Sequence, residues 1–369
     1  MDFDSDISQS AWVIQWREHL CCLDAALPNI DDRIEALAVV EYDCMVAGEA
    51  EACEAANSSK HIRIGSLFSG IGGLDLAVEA ATGGQTVWQV ESNEHCRQVL
   101  ARHWPEAARH NDVCSVGSSN LAAIDVLCGG FPCTDLSAAS PTKTGLKGER
   151  SGLFYEFVRI AKEMQPQMVV IENVPPLLKQ QATVDAVMAD AGYACSWLTC
   201  YASTTGAPHL RQRVFVVCTK SDGFALTAEP VKVGKFERGL WPTPKSRDFR
   251  SGKGTSEANL PKRVGSRDLP ELLRGKLNPA WVECLMGLPV GWTLPAGSSQ
   301  NHEALALLRH PRWPAGKNQD QRSWEPPRLL HGPPVRGRPA RMVALGNAVV
   351  PQQALLALSH LLPTTEAAT

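Results

Sequence analysis

The sequence predicts an α/β protein: a mostly parallel sheet covered by helices on both faces, with a smaller irregular domain beside it. Three observations predict it. Short apolar runs alternate with longer amphipathic stretches from His61 to about Lys220. Turns bearing Gly or Pro follow several of the apolar runs directly. After about Thr219 the periodicity fades and Pro, Gly, Lys and Arg take over.

Residues 1–60 form an acidic leader with helices expected over 11–20 and 31–47 and no catalytic signature. A catalytic domain over 61–219 begins with a strand at 62–68, a Gly-rich turn and a helix at 74–81. A strand at 86–90, a helix at 94–103 and a strand at 124–128 follow. A helix at 153–164, a strand at 168–171, a helix at 184–191 and a strand at 214–218 complete the alternation. Residues 220–276 read as an irregular stretch rich in Pro, Gly, Lys and Arg, 277–292 as a short segment beyond it and 293–340 as a Pro/Arg-rich insertion. A last segment, 341–369, carries a helix expected at 352–362. Both irregular stretches could be flexible linker, but Trp241, Phe249, Trp313 and Trp324 argue for order, because aromatics are scarce in disordered chains.

At 369 residues the chain can bury a sizeable core, and 44% hydrophobic with 20% charged residues is ordinary for a soluble protein. No apolar run approaches the roughly 20 residues of a membrane helix. The start, Met1-Asp2-Phe3-Asp4-Ser5-Asp6, is acidic where a secretory leader is basic, so a cytoplasmic protein without membrane contact is expected. The 12 cysteines show no C-x-x-C pair and no zinc-ligand spacing, so neither a disulfide framework nor a metal is expected. Cys128, Cys218 and Cys284 sit in apolar contexts as small hydrophobes. The net charge of −3 hides an asymmetry: residues 1–60 carry 13 acids against 3 Lys/Arg, and residues 205–341 carry 23 Lys/Arg against 11 acids. A basic carboxyl half suits a polyanionic partner.

Candidate chemistry gathers at the carboxyl ends of the expected strands, where open α/β sheets bind ligands. Gly129-Gly130-Phe131-Pro132-Cys133 leaves the strand at 124–128 sharply and holds a thiol there, a candidate nucleophile. Phe68-Ser69-Gly70-Ile71-Gly72-Gly73-Leu74 joins a strand to a helix, and its glycines permit close backbone approach by a ligand. Glu91, about 20 residues on, is placed to accept from ribose hydroxyls. Asp112 stands similarly before another turn. With no Lys beside the glycines, the pocket suits a nucleoside without phosphates, such as S-adenosylmethionine. Glu172-Asn173-Val174 puts a carboxyl group at the same sheet edge. A nucleophile beside an acid suggests covalent catalysis with protonation of the adduct, although a turn cap would also explain Glu172. Arg211-Gln212-Arg213 aims two guanidinium groups to one side of an extended chain; they could hold a phosphate or a base oxygen, or form a surface ion pair.

These residues resemble the DNA cytosine-5 methyltransferase family, in the family's motif order, from Ile62 to Pro351. Phe68 to Gly73 looks like the cofactor loop, Phe131-Pro132-Cys133 like the catalytic Pro-Cys motif, and Glu172-Asn173-Val174 like the E-N-V motif. Arg150-Ser151-Gly152-Leu153-Phe154 matches the segment after the mobile catalytic loop, and Gly206 to Arg213 the motif ending in R-x-R. Leu277-Asn278-Pro279 through Glu283 to Met286-Gly287 resembles the motif after the recognition region, and Gly346 to Pro351 the last one. The resemblance implies a Rossmann-like, S-adenosylmethionine-dependent methyltransferase fold acting on double-stranded DNA, as a monomer. It implies a cofactor site of Phe68, Ser69, Gly70, Gly72, Gly73, Leu74, Glu91, Asp112, Pro132, Leu153, Asn347 and Ala348.

The resemblance also implies the roles. Cys133 adds to cytosine C6, Glu172 serves N3, Arg213 bonds the base O2, and Arg211 stabilises the site or a nearby phosphate. The base is flipped out of the duplex, residues 138–150 close over it, and 220–276, helped by 293–340, reads the DNA. An RNA cytosine-5 methyltransferase of the same fold, or a silent DNA-binding relative, stays open as an alternative. Two positions depart from the family pattern. Ser66 stands where many members have Asp, which predicts a small loss of order in the loop; His209 stands where Gln is common, and contact with DNA or with Arg211 are both open.

Overall fold

The computed structural model describes residues 62–132, 152–220, 231–233, 240–250, 268–332 and 335–362. The acidic leader with its expected helices, Cys133 and the closing segment 138–150, and most of 220–276 lie outside the described residues. The strands are β1 (Arg63–Leu67), β2 (Gln85–Val90), β3 (Ala108–His110), β4 (Val126–Gly129), β5 (Met168–Asn173), β6 (Tyr193–Tyr201), β7 (Gln212–Lys220) and β8 (Val231–Val233). The α-helices are α1 (Gly73–Thr82), α2 (Glu94–His103), α3 (Gly152–Met164), α4 (Gln181–Asp190), α5 (Leu269–Leu273), α6 (Pro279–Leu285), α7 (Asn301–Arg309), α8 (Arg338–Asn347) and α9 (Pro351–Leu361).

The strands form one sheet in the order β3-β2-β1-β4-β5-β7-β6-β8. β1 to β5 run parallel. β7 is antiparallel to both β5 and β6. The order reverses direction between β1 and β4, the kind of crevice in which α/β sheets take ligands.

Alternation along the strands builds two cores. Ile64, Val126, Cys128, Met168 and Val170 face one core with α1, α2 and α9. Leu67, Leu127, Val169 and Ile171 face the other with α3 and α4. This is why the strands read as continuous apolar runs: both faces are covered. Each fully buried Leu or Phe contributes roughly 1.5–3 kcal/mol. Local signals set the helix ends. The Asn93 side chain accepts from the Cys96 amide at the start of α2, and Arg102 and His103 close its last turn. α6 and α9 begin with Pro279 and Pro351, which need no amide partner there.

The described part of the carboxyl half is packed into the body, as its tryptophans suggest. Trp241 is buried, and a methyl group on Gly346 would collide with the Lys245–Ser246 backbone. Arg338 donates to the carbonyls of Leu277 at 2.9 Å and Phe249 at 2.7 Å. Residues 240–250, assigned by sequence to the recognition region, are therefore built into the body, and the insertion contributes α7 against α1 and α9 rather than a linker. Arg338–Leu361 is long and apolar enough to cross a membrane by length and composition, contrary to the reading of the sequence, yet 83% of that window is buried within the fold. A second correction concerns cysteine. Cys195 and Cys218 oppose each other across β6 and β7, with Cα atoms 4.0 Å apart, and are disulfide-bonded.

Beneath the glycine turn lies a buried acid. Asp75 on α1 is fully buried; Gln89 Nε2 donates to its Oδ1 at 2.9 Å, and its Oδ2 has no hydrogen-bond partner among the described residues. Burial raises its pKa from 3.8 to about 7, and the Gln89 and Ser66 side chains offset only part of that. A folded-state pKa above the unfolded one stabilises fully below pH 3.8, and that stability is lost as pH rises through about 7. Asp75→Asn is therefore expected to be more stable than the wild type at pH 8.5, by up to ~4 kcal/mol, with the difference shrinking toward pH 4. Calorimetric melts at the two pH values check this; a variant less stable at pH 8.5 would refute it.

Candidate active site

Parallel register brings the expected site residues to one rim. Leu67 pairs with Val90 and Gly129, Val90 with His110, and Gly129 with Ile171. Phe68, Glu91, Asp112 and Gly130 thus stand just past the carboxyl ends of adjacent strands, and Glu172 is the next-to-last residue of one. The separated motifs of the chain meet because the sheet aligns these ends.

The glycine turn is tightly braced. Gly70 and Gly72 have φ of +57° and +82°, where a side chain is strained. The Gly70 amide donates to Glu91 Oε2 at 2.8 Å, and Glu91 Oε1 accepts from the Asn93 amide at 2.7 Å. Each carboxylate oxygen keeps a second lone pair, so Glu91 can still accept from a ribose. The Ser69 hydroxyl donates to the Ser66 carbonyl at 3.2 Å, so Ser66 keeps the turn ordered through its backbone. A side chain on Gly73 would come within 2.6 Å of the Val349 carbonyl oxygen, so the last motif packs directly on the turn. Among the described residues, nothing lies within 4 Å of where a Gly70 Cβ would stand. Open space before the turn, a carboxylate at its side and no lysine in it fit a nucleoside better than a phosphate.

The remaining expected cofactor residues differ in what they expose. Asp112 Oδ1 accepts from the Cys114 amide at 2.9 Å beyond β3. Phe68 and Leu153 are half-buried against the α3 side core, and Pro132 and Asn347 are exposed. Leu74 turns its side chain into the core and Ala348 is buried, so what these two can offer a ligand is backbone.

Glu172 occupies the side of the strand end that leads to Cys133. A Gly130 Cβ would stand 2.7 Å from Glu172 Oε2, so only glycine leaves room for the carboxylate. Asn173 Nδ2 donates to the Phe131 carbonyl at 3.1 Å, tying the E-N pair to the stem of the Pro-Cys motif. The Phe131 and Phe154 rings lie 5.2 Å apart, which brings together the two ends of the segment holding Cys133. Arg213 Nε donates to Glu172 Oε1 at 2.8 Å. Burial holds the Glu172 carboxyl above the ordinary glutamate range, against the pull of the Arg213 and Arg211 charges. Gly130→Ala should displace that carboxylate and lower any activity that depends on it roughly ten- to a hundredfold, with little change in melting temperature. Wild-type turnover in initial-rate assays would show that the carboxylate is not needed where it lies.

Arg211 departs from its expected placement. Its φ of +29° takes it out of the extended range, and its guanidinium is buried. It donates to the carbonyls of Pro244 and Gly346, at 3.2 Å each, and of Ala348. A group so enclosed holds the last motif in place and does not reach a phosphate. His209 is also fully buried; its Nε2 donates to the Leu285 carbonyl at 2.6 Å, and burial lowers its pKa to about 3. It is neutral and enclosed, and it anchors the segment 277–292 through Leu285.

Sequence reasoning missed Trp292. Its indole N–H donates to the Ile71 carbonyl at 2.9 Å, inside the glycine turn, while its ring stacks on His103 at 3.7 Å. The available signal was a tryptophan just past Met286-Gly287, whose N–H must find an acceptor once buried.

Residues 62–258, more than half of the chain, match the family model for C-5 cytosine-specific DNA methylase. The chain is 36% identical over 160 residues to the type II methyltransferase M.CviJI of Paramecium bursaria Chlorella virus IL3A, a match covering 42% of each protein. It is 28% identical over 166 residues to the type II methyltransferase M.HhaI of Haemophilus parahaemolyticus, covering 44% of this chain and 50% of that one. The matched part thus spans about half the length of these curated relatives or less. The solved Entamoeba histolytica methyltransferase EhMeth has the same fold, with a TM-score of 0.51 at 14% identity over 82% of this chain and 97% of that one. With the motifs brought to one rim and the family model matched across them, the chain belongs to the C-5 cytosine-specific DNA methylase family.

Proposed function

We propose that this protein transfers a methyl group from S-adenosylmethionine to C5 of a cytosine flipped out of duplex DNA, through a covalent adduct with Cys133. The observation that carries the reading is the placement of the Glu172 carboxylate against Gly130, in the stem that leads to Cys133, on the same rim as the glycine turn. When bound, S-adenosylmethionine supplies an electrophilic methyl group on a sulfonium sulfur.

Cytosine C5 is a poor nucleophile in the aromatic ring. The Cys133 thiolate adds to C6, and the proton held at Glu172 passes to N3 as negative charge develops there. C5 is then enamine-like and takes the methyl group. A base removes the C5 proton, the electron pair expels the thiolate, and the N3 proton returns to Glu172. Burial raises the Glu172 pKa and so favours its protonated form relative to an exposed glutamate, and Arg213, bonded to the same carboxyl group, would serve the base O2. A stacked base cannot reach this rim, so the target must leave the helix.

Bisulfite sequencing of DNA from cells expressing the protein, with labelled-methyl incorporation into duplex DNA and into transfer RNA, tests the reading. Protected cytosines in one sequence context and label on duplex DNA are expected. Label confined to transfer RNA would overturn the choice of substrate.

A further inference from the structure

The Pro/Arg-rich insertion is fixed to the site. Trp313 Nε1 donates to the Thr205 carbonyl at 2.7 Å, and its ring lies 3.1 Å from where a Gly206 Cβ would stand. Trp241 Nε1 donates to the Ala315 carbonyl at 2.9 Å. The Asn278 amide donates to the Arg328 carbonyl at 3.0 Å and the Leu330 amide to the Lys276 carbonyl at 2.9 Å, which closes the far end. Thr205 and Gly206 lie in the connection from β6 to β7, and β7 begins with the Gln212-Arg213 pair whose arginine reaches Glu172. The insertion is therefore moored to the same edge of the sheet as the reacting groups.

Its charges divide into two sets. Residues 309–331 hold five Lys/Arg against Asp320 and Glu325. Glu325 is buried, with Oε1 accepting from the amides of Ala315 at 2.5 Å and Arg322 at 3.0 Å, so it organises the backbone and masks little of the surface charge. Arg328 is taken up by the Gln319 carbonyl at 3.3 Å and by the face of Trp241. Arg312 and Arg322 are exposed, and neither is paired with a carboxylate among the described residues. Arg312 lies over the ring of Trp324 at 4.9 Å, and Trp324 is itself 36% exposed. Residues 240–250 differ: Lys245 and Arg247 there both close on Asp268, at 2.6 and 2.9 Å.

Two guanidinium groups without a carboxylate partner among the described residues, on a segment held at both ends and one of them steadied by an exposed indole, suit a ligand with closely spaced fixed anions. We propose that this segment is a ledge that grips the phosphate backbone of the DNA duplex beside the flipped base, with Arg312 and Arg322 as its phosphate contacts and Trp324 positioning Arg312. The proposal rests on duplex DNA being the substrate and adds where the flanking duplex is held. Neither arginine reads sequence in this role, because phosphate contacts fix position and base edges carry specificity.

The test is binding of a labelled duplex by the full-length protein across a potassium chloride series. Each lost phosphate contact should lower the slope of log Kd against log salt by ~0.9, so R312A/R322A should lose about 2 from the slope and bind tens of fold more weakly at 0.1 M salt. R312K/R322K keeps both charges and should keep the slope. Trp324→Ala should weaken binding while leaving the slope nearly intact, as expected of a positioning residue. Lys162→Ala, removing an exposed cation already paired with Asp190, serves as the reference and should match the wild type. A wild-type slope in the alanine pair would overturn the ledge. So would an equal loss in the lysine pair, since that would mean the side chains shape the segment. Failure of the wild type to bind or methylate duplex DNA would defeat the substrate reading instead.

Discussion

A Cys133→Ala protein is expected to bind S-adenosylmethionine and duplex DNA as the wild type does and to transfer methyl groups more than roughly 10³-fold more slowly. The asymmetry follows from the chemistry. In the proposed reaction Cys133 supplies the soft nucleophile to C6, and without addition there C5 keeps its place in an aromatic ring. Binding should survive because the stem is held by groups the substitution leaves alone: the Asn173 bond to the Phe131 carbonyl, the Phe131–Phe154 contact and the Glu172–Arg213 pair. Two measurements check it. Labelled-methyl incorporation should vanish while cofactor titration is unchanged. A duplex carrying 5-fluorocytosine should trap a denaturation-resistant adduct with the wild type and none with the variant, because fluorine cannot leave C5 as a proton does. Measurable turnover in the variant would end the covalent reading.

The parts of the fold legible in the sequence were those whose side chains obey one period. The strands at 62–68, 86–90, 124–128 and 168–171 emerge as β1, β2, β4 and β5, and the helix expected at 94–103 matches α2 at both ends. Tyr193–Tyr201 escaped notice because Cys, Ser and Thr break its apolar run, yet Ser196 and Thr199 are buried between β7 and β8. α8 was missed for a related reason. Arg338 and Arg341 put charge where a core-facing helix position is expected to be apolar, yet both are buried, Arg341 in an ion pair with Glu283 at 2.8 Å. A buried arginine is visible only once its carbonyl and carboxylate partners are known, and those come from distant parts of the chain. The same limit explains Arg211. Its type and spacing suggested an anion site, and only the fold shows three carbonyls waiting for it. Glu172 was readable because its strand ends beside the strand that leads to Cys133, which parallel topology makes predictable. The need for glycine at 130 was not, since it depends on where one carboxylate oxygen lies.

Glu172→Gln separates acid catalysis from DNA positioning. Glutamine keeps the size and one acceptor oxygen, so it can still receive the Arg213 Nε bond that the carboxylate receives at 2.8 Å. What it lacks is a proton to give N3. Turnover should fall roughly 10²- to 10⁴-fold, while DNA and cofactor dissociation constants change little. The pH dependence carries the sign. Burial raises the Glu172 pKa, so its protonated form persists to higher pH than an exposed glutamate allows, and wild-type turnover should decline once pH passes that raised value. The decline should disappear from the residual activity of the variant, because the amide does not titrate. Single-turnover rates from pH 5.5 to 9 with protein in excess over duplex resolve this without interference from product release. Equal losses in affinity and turnover, or a falling limb that survives in the variant, would mean that Glu172 orders the DNA site through Arg213 and that the proton reaches N3 from elsewhere.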